Sequence, residues 1–373
     1  MEQDRRVSRD ASGPEAATCA SRIEGAFRKQ VQGDRRVRRA FLLVHSKKVG
    51  VDLTVAGSGT GLPVHVEQPN HLASVGKLFT ATLIAMLHEE GALRFTDRIG
   101  AYLDDELMRG LHVYRGHDYS GEITIRHLLM QTSGLYDVFY PLWKKMMQDP
   151  LYTITTRDAI SWGKEHMRPV DVPGAKHHYT DTNYYLLGFI VESVTGKAFH
   201  EVMHERIFDP LGMDHAFLHG FSRPRNEGVV PPAGLFMNDV DFGSVVSAPS
   251  IDHAGGSVIA PLSEYLLFMQ ALVEDRLIRR ETLETMINDD TYMGFPVVGF
   301  NYGYSIWKPR TVPLLMPRKY SCWGCVGVTG AFMFYHPGTA SHIIGTFNDF
   351  AYRGKALSFM VRRVIRELVA AAP

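Results

Sequence analysis

The sequence has no excess of either charge, few cysteines and no long apolar run. Forty Lys and Arg residues balance forty Asp and Glu residues, so the surface as a whole is not expected to attract nucleic acid or an anionic membrane. Three cysteines, Cys19, Cys322 and Cys325, are too few for a disulfide framework. No stretch reaches the roughly 18 apolar residues of a membrane span, and residues 1–40 lack the apolar segment of a secretory signal. We therefore expect a cytoplasmic protein with neither a nucleic-acid partner nor a membrane span, and the sequence does not indicate an oligomeric state.

Strand patterns lie near both ends of the chain, and helical patterns lie between them. The predicted strands are 40–45, 51–56, 303–308, 330–335 and 343–348, and the predicted helices are 15–32, 73–90, 125–130, 182–194, 198–207, 263–274 and 355–371. This order predicts an α+β fold, in which an antiparallel sheet built from both termini is flanked by helices and carries a large, mostly helical inserted region.

Three regions follow from this order of elements. Residues 1–38 form an N-terminal arm and helix. Residues 39–72 and 300–373 form the sheet region. Residues 73–299 form the mostly helical region, which begins with the helix that carries the candidate nucleophile.

Ser74 and Lys77 form an S-x-x-K motif at the start of an apolar helix. Residues three apart on a helix share one face, so the amine can reach the hydroxyl. The free N–H groups at a helix N-terminus stabilise a developing oxyanion, and burial there makes a neutral lysine a credible base. The motif indicates a serine nucleophile assisted by lysine, although Ser74 as a simple helix cap and Lys77 as a surface lysine would look the same.

Five blocks in order resemble one known family. They are His71-Leu-Ala-Ser74-Val-Gly-Lys77-Leu-Phe-Thr-Ala, His127-Leu-Leu-Met-Gln-Thr-Ser-Gly134-Leu, Tyr179-Thr-Asp181-Thr-Asn-Tyr-Tyr-Leu-Leu-Gly188, Ile207-Phe-Asp-Pro-Leu-Gly-Met213 and His253-Ala-Gly-Gly256-Ser. Together they are similar to the serine β-lactamase and penicillin-binding-protein-like family, which contains class C β-lactamases, DD-peptidases and esterases. The resemblance spans residues 40–350, and it implies a serine hydrolase that needs no cofactor or metal.

The resemblance also implies roles for individual residues. Ser74 would be acylated, Lys77 would assist removal of its proton, and Tyr179 would carry the proton to the leaving group. Asp181 stands where the family usually has Asn; a carboxylate cannot donate an amide hydrogen bond to a substrate, and it would hold Lys77 in its charged form. That departure favours Tyr179 as the proton relay.

The third family motif, K/H-x-G on a strand beside the site, has two possible registers here. In the preferred one, Cys325 occupies the position of the cation, Gly327 follows it, and the N–H of Val328 joins that of Ser74 in the oxyanion hole. The alternative register uses Val328-Thr329-Gly330. A thiol cannot bind a substrate carboxylate as a cation does, so the sequence favours a small neutral ester, lactone or amide as substrate over a β-lactam or a peptidoglycan stem.

Other functions remain open at this point. An acyltransferase would use the same acyl-enzyme, a β-lactamase or D-amino-acid peptidase would use the same residues, and a binding relative could have lost activity. His200 and His204 lie in an H-E-x-x-H pattern that is typical of zinc peptidases, but the continuation fails at Ile207 and Pro210. Cys322 and Cys325 have C-x-x-C spacing but no second pair for zinc and no thioredoxin-like context. We expect no metal.

Overall fold

The computed structural model describes residues 4–7, 14–149, 151–228, 230–237, 239–311 and 317–372. Its strands, in chain order, are β1 (Arg5–Val7), β2 (Ala40–Ser46), β3 (Val51–Gly57), β4 (Asn70–His71), β5 (Val113–Tyr114), β6 (His117–Asp118), β7 (Phe217–Leu218), β8 (Phe236–Met237), β9 (Val240–Asp241), β10 (Val258–Ala260), β11 (Thr291–Tyr292), β12 (Phe300–Tyr302), β13 (Trp307–Pro309), β14 (Trp323–Gly327), β15 (Ala331–His336) and β16 (Ser341–Thr346).

The helices are numbered in the same way. They are α1 (Pro14–Gln32), α2 (Gly76–Glu89), α3 (Asp105–Met108), α4 (Ile125–Leu129), α5 (Phe139–Gln148), α6 (Thr156–His166), α7 (Thr182–Thr195), α8 (Phe199–Met203), α9 (Asp209–Leu211), α10 (Ala248–Gly256), α11 (Leu262–Val273), α12 (Arg280–Asn288), α13 (Arg353–Phe359) and α14 (Arg366–Ala371). Two π-helical turns, His204–Phe208 and Met360–Ile365, connect α8 to α9 and α13 to α14.

One large antiparallel sheet combines strands from both ends of the chain. Its order is β1-β3-β2-β16-β15-β14-β13-β12-β11. The two ends meet where β2 pairs with β16, with Val44 opposite Ile343. The described helices between β4 and β11 form the inserted region. The predicted α+β fold, with a sheet built from both termini around a helical insertion, is therefore confirmed.

Helix α1 covers one face of this sheet. Its buried side chains include Ile23, Phe27 and Val31, which recur at the four-residue spacing of a single helix face. Gly57 of β3 lies directly beneath them, because a Cβ at that position would come within 3.3 Å of Val31 and 3.5 Å of Phe27. None of the described helices is both long and apolar enough to cross a bilayer.

One predicted strand is wrong. Residues 303–308 do not form a continuous strand, because the chain turns between β12 and β13. Ser305 has a φ of 61° and the N–H of Gly303 donates to the carbonyl of Ile306 at 2.8 Å. The apolar alternation of Tyr302, Tyr304 and Ile306 resembles a strand, but a positive φ at a serine leaves no pattern in the sequence. The turn places the Ser305 hydroxyl 3.0 Å from the carbonyl of Lys77, to which it donates.

Candidate active site

Ser74 lies in a tight turn at the edge of the inserted region. A single 3-10 turn, Ala73–Val75, follows β4 and leads directly into α2. Ala73 has a φ of 50°, which is uncommon for a residue with a side chain. The turn makes Ser74 partly exposed, whereas its neighbours Ala73 and Val75 are buried. The predicted nucleophile thus lies at a helix N-terminus, where backbone N–H groups lack helical partners.

Lys77 has the geometry of a base for Ser74. Its side chain is fully buried, and its Nζ lies 3.1 Å from Ser74 Oγ, 2.7 Å from the carbonyl oxygen of Gly255 and in direct contact with Asp181 Oδ1. The carbonyl and the ionised carboxylate can only accept hydrogen bonds. A neutral amine would donate its two protons to them and turn its lone pair towards the hydroxyl of Ser74. An ammonium would instead donate to all three oxygens.

The charge on Lys77 is decided by two opposing effects. Burial lowers the pKa of its ammonium, but the carboxylate of Asp181, through charge and a hydrogen bond, outweighs burial and leaves the pKa raised. Lys77 is therefore an ammonium at neutral pH in the free site. Burial in turn raises the pKa of Asp181, and Lys77 opposes that rise.

Tyr179 lies beside Lys77 at the entrance to α7. The Lys77 Nζ is 5.2 Å from the centre of its ring. Burial, with help from Asp181, raises the pKa of the Tyr179 phenol well above its ordinary value, and contact with the Ser74 side chain opposes that rise only in part. Tyr179 is therefore a neutral phenol, which suits a group that donates a proton to a leaving group better than one that removes a proton.

A second carboxylate, Asp137, supports Asp181. Its Oδ1 accepts hydrogen bonds from the backbone N–H of Asp181 at 3.1 Å and of Phe139 at 3.3 Å. Burial, then the charge of Asp181, raises the pKa of Asp137 to about 7. No sequence pattern indicated this residue, because Asp137 lies outside every motif and reaches Asp181 only through the fold.

Strand β14 forms the opposite wall of the site. The Cys325 thiol is buried and donates to the carbonyl of Ser74 at 3.2 Å. Burial raises its pKa to about 12, although Lys77 opposes the rise. A neutral thiol therefore stands next to the nucleophile. In the alternative register Thr329 is fully buried in the turn after β14, and its carbonyl accepts from the N–H of Asp349.

Gly327 ends β14 and Val328 begins the turn that follows it, close to the nucleophile turn. A Cβ at Gly327 would lie 2.2 Å from the carbonyl oxygen of Leu72, so glycine permits this close approach. Among the described residues we find no acceptor for the backbone N–H of Ser74 or for that of Val328. Backbone N–H groups without a partner in the protein are the donors that an oxyanion hole requires.

His71 and Asp252 form a buried pair behind the nucleophile. His71 Nδ1 accepts a hydrogen bond from the backbone N–H of Ala73 at 3.0 Å, and its Nε2 lies 2.7 Å from Asp252 Oδ2. Because a backbone N–H can only donate, Nδ1 carries no proton and the imidazole carries its proton on Nε2, facing Asp252. His71 begins the first of the five family-like blocks, but no pattern in the sequence indicates a role for His71 or Asp252.

His219 joins this pair in the one group of three potential metal ligands among the described residues. Its ring meets His71 edge-on, with 5.8 Å between ring centres. Burial, with the nearby His71, lowers its pKa to about 4. Since the Nε2 proton of His71 faces Asp252, His71 has no free lone pair for a metal ion in this arrangement.

The two other sequence patterns form no group of metal ligands among the described residues. His204 of the H-E-x-x-H pattern makes a hydrogen bond of 2.9 Å with the Ser222 hydroxyl. No group of three ligands in the described chain includes His200 or His204. Cys322 and Cys325 are both free, buried thiols.

A serine, a lysine and a tyrosine lie together beside a β-strand, at the junction of an antiparallel sheet and a helical region, in a fold of the β-lactamase and transpeptidase type. The Beta-lactamase family model matches residues 23–362. The chain belongs to the beta-lactamase family of serine hydrolases.

Its relatives have several activities by name. Penicillin-binding protein 4* of Bacillus subtilis (strain 168) is 26% identical over 254 residues, which cover 65% of this chain and 53% of that protein. Monacolin J acid methylbutanoyltransferase of Aspergillus terreus is 31% identical over 212 residues, covering 51% of this chain and 50% of that protein. The chain thus spans about half the length of these curated relatives.

Solved structures extend the likeness to nearly the whole chain. D-amino acid amidase from Ochrobactrum anthropi SV3, complexed with D-phenylalanine, superposes with a TM-score of 0.77 at 18% identity, covering 95% of this chain and all of that one (100%). At that identity the match shows the shared fold.

Proposed function

We propose that this chain hydrolyses a small ester or amide through an acyl-enzyme on Ser74. The observation that carries the proposal is the position of Lys77 Nζ, 3.1 Å from Ser74 Oγ and fixed from behind by Gly255 and Asp181. A base held within hydrogen-bond reach of a hydroxyl and oriented by further groups is the arrangement that activates a serine nucleophile.

Acylation begins once Lys77 has lost its proton: Ser74 Oγ attacks the substrate carbonyl carbon, and the hydroxyl proton passes to the amine of Lys77. The N–H groups of Ser74 and Val328 would hold the oxyanion that forms. As the carbonyl re-forms, the bond to the leaving alcohol or amine breaks, and that group takes a proton from the Tyr179 phenol, which Lys77 replenishes. Water then attacks the acyl-enzyme by the same route, releases the acid and regenerates Ser74.

The charges around the site favour a substrate without a carboxylate. In the preferred register of the third motif, Cys325 places a neutral thiol at the position of the motif's cation. Asp181 and Asp137 place two carboxyl groups against the one ammonium of Lys77. A substrate carboxylate next to these groups would meet repulsion. Neutral esters, lactones and amides avoid that cost.

Substitution of Ser74 tests the proposal directly. Wild type, Ser74→Ala and a matched control, Ser222→Ala, are compared on p-nitrophenyl acetate, nitrocefin and a D-amino-acid amide, with intact-mass detection of a fluorophosphonate adduct. Ser222 is suitable because its hydroxyl bonds His204 instead of Lys77. We expect ester or amide turnover and one adduct in wild type and control, with neither in Ser74→Ala. Turnover by a folded Ser74→Ala protein would reject the acyl-enzyme, and a marked preference for nitrocefin would reject the substrate assignment.

Transfer of the acyl group to an alcohol is a second candidate, favoured by the similarity to a methylbutanoyltransferase. The acyl-enzyme is the same, and only the group that attacks it differs. Product analysis with added alcohols distinguishes the two functions. An ester formed faster than the free acid would indicate an acyltransferase, whereas free acid alone would indicate a hydrolase.

A further inference from the structure

We propose that His71 and Asp252 are positioning residues, which aim the N–H and hydroxyl of Ser74 at the substrate by holding the backbone of Ala73. The inference rests on the proposed acylation of Ser74. Neither side chain makes a hydrogen bond to Ser74 itself. Asp252 orients the ring of His71, and His71 accepts a hydrogen bond from the N–H of Ala73, the residue before the nucleophile.

The backbone at Ala73 needs such support. Its φ of 50° lies in the left-handed region, which residues with a Cβ rarely adopt. Strained residues of this kind persist only where their surroundings determine the conformation, and they concentrate at functional sites. Ala73 immediately precedes the nucleophile, so relaxation of its φ would rotate the peptide group that carries the Ser74 N–H.

The two peptide groups of Ala73 are held on opposite sides. On one side its N–H donates to His71. On the other, its carbonyl accepts from the N–H of Gly76 and lies against Gly256, where a Cβ would come within 2.9 Å of the oxygen. The C=O and N–H of a trans peptide point in opposite directions. Because the Ala73 carbonyl is held against Gly76 and Gly256, the Ser74 N–H of the same peptide group points away from these two glycines.

Helix α10 supplies both restraints. Asp252 and Gly256 lie four residues apart in α10, on either side of a kink at His253, whose φ of 28° is not helical. The same segment accepts hydrogen bonds from Thr80 through the carbonyl of Ala254 at 2.7 Å and from Lys77 through that of Gly255. One short helix thus positions the nucleophile turn, the lysine and the first turns of α2 together.

The orientation of His71 is itself fixed by its neighbours. Its ring packs edge-on against His219 and Phe242, each with 5.8 Å between ring centres. Its proton on Nε2 is accepted by the buried Asp252 carboxylate, and this leaves Nδ1 free to accept from Ala73. If the proton were on Nδ1 instead of Nε2, the ring N–H would face the N–H of Ala73, and neither could accept.

Two amide substitutions separate positioning from simple structural support. His71→Asn keeps an acceptor near the position of Nδ1 and loses the contact with Asp252. His71→Gln keeps a donor near the position of Nε2 and leaves the Ala73 N–H without an acceptor. The matched control is His219→Asn, in the same cluster but without a bond to Ala73. The full chain is assayed for kcat and KM on p-nitrophenyl acetate, for the rate of fluorophosphonate labelling and for thermal unfolding.

We expect His71→Gln to lower kcat and the labelling rate by about 10- to 100-fold, as a misplaced reacting group does, while KM changes far less. His71→Asn should retain most of both rates even if it unfolds at a lower temperature, and His219→Asn should match wild type. Equal rate losses in the two His71 variants, losses that follow only their unfolding temperatures, or a change confined to KM would overturn the inference.

Failure of this inference and failure of the proposed function give different results. Absence of labelling at Ser74 in wild type rejects the acyl-enzyme, whereas normal wild-type labelling with an unchanged rate in His71→Gln rejects only the positioning role. If His71→Gln does not fold, Asp252→Asn provides the second test. Its amide holds the Nε2 proton less strongly, so kcat should fall, and a folded Asp252→Asn protein with wild-type kcat would overturn the inference.

Discussion

Replacement of Asp181 by Asn removes the group that holds the proton on Lys77. The two side chains are nearly equal in size, and the Asn oxygen can still accept a hydrogen bond from Nζ. In the wild type the attraction of Asp181 outweighs burial and raises the pKa of Lys77. In Asp181→Asn, burial acts without that opposition, so the pKa falls below the ordinary value for lysine.

The size of the change follows from the contact. An opposite charge at such short range shifts a pKa by about 1–3 units, or roughly 1.4–4 kcal/mol. If the neutral amine of Lys77 removes the Ser74 proton, kcat/KM rises with pH until Lys77 has lost its proton. The raised pKa places that rise at alkaline pH in the wild type. Asp181→Asn should therefore move the rising limb towards acid by about 1–3 pH units.

A pH profile of kcat/KM on p-nitrophenyl acetate, normalised to the fraction of protein that a fluorophosphonate labels, tests this reasoning. Asp104→Asn is the control, because that carboxylate pairs with the half-exposed Arg157 and not with Lys77. The control should leave the profile unchanged. A rising limb that stays in place in Asp181→Asn, or moves towards alkali, would refute Lys77 as the base and favour proton removal through Tyr179.

Asp137→Asn should stabilise the fold at about pH 8 more than at about pH 5. The pKa of Asp137 is raised to about 7, so the protonated carboxyl contributes to stability in acid. That contribution is lost as pH rises to about that value, at about 1.4 kcal/mol per pH unit. Equal gains in the free energy of urea unfolding at both pH values would contradict this. Gly76→Ala should destabilise by about 1–3 kcal/mol and slow turnover, because its Cβ would lie 2.9 Å from Gly256 Cα; wild-type thermal unfolding would count against that contact. Iodoacetamide at neutral pH should leave esterase activity intact, since the Cys325 thiol is buried with a pKa of about 12; rapid inactivation with alkylation at Cys325 would show it to be accessible.

The S-x-x-K spacing, read together with the four other ordered blocks, predicted Ser74 and Lys77 as a pair, and the structure places their side chains 3.1 Å apart. Three residues on a helix bring two side chains together whatever the rest of the fold does, so the motif specifies its own geometry. Strand patterns near both ends likewise predicted the sheet, because each strand carries its own alternation. The order of the strands and the pairing of β2 with β16 were not predicted and are known only from the structure.

The supporting residues could not be predicted in this way. His71 meets Asp252 across 181 positions of sequence, and Asp137 meets Asp181 across 44. Such contacts depend on how α10 and α7 pack against α2, and a single sequence has no periodicity that records them. The turn at Ser305 was missed for a related reason, since its positive φ is set by the surrounding fold and not by the residue type.

The pairing of β2 with β16 also affects how the protein folds during synthesis. Residues 41–44, Phe-Leu-Leu-Val, lie in an interior strand of the finished sheet, and their partners at 343–346 leave the ribosome only after the entire helical insertion. Until then the hairpin of β2 and β3 presents an apolar edge with unpaired backbone groups, which favours aggregation. We expect fragments that stop before β16 to require a chaperone or to precipitate, however completely their helices form.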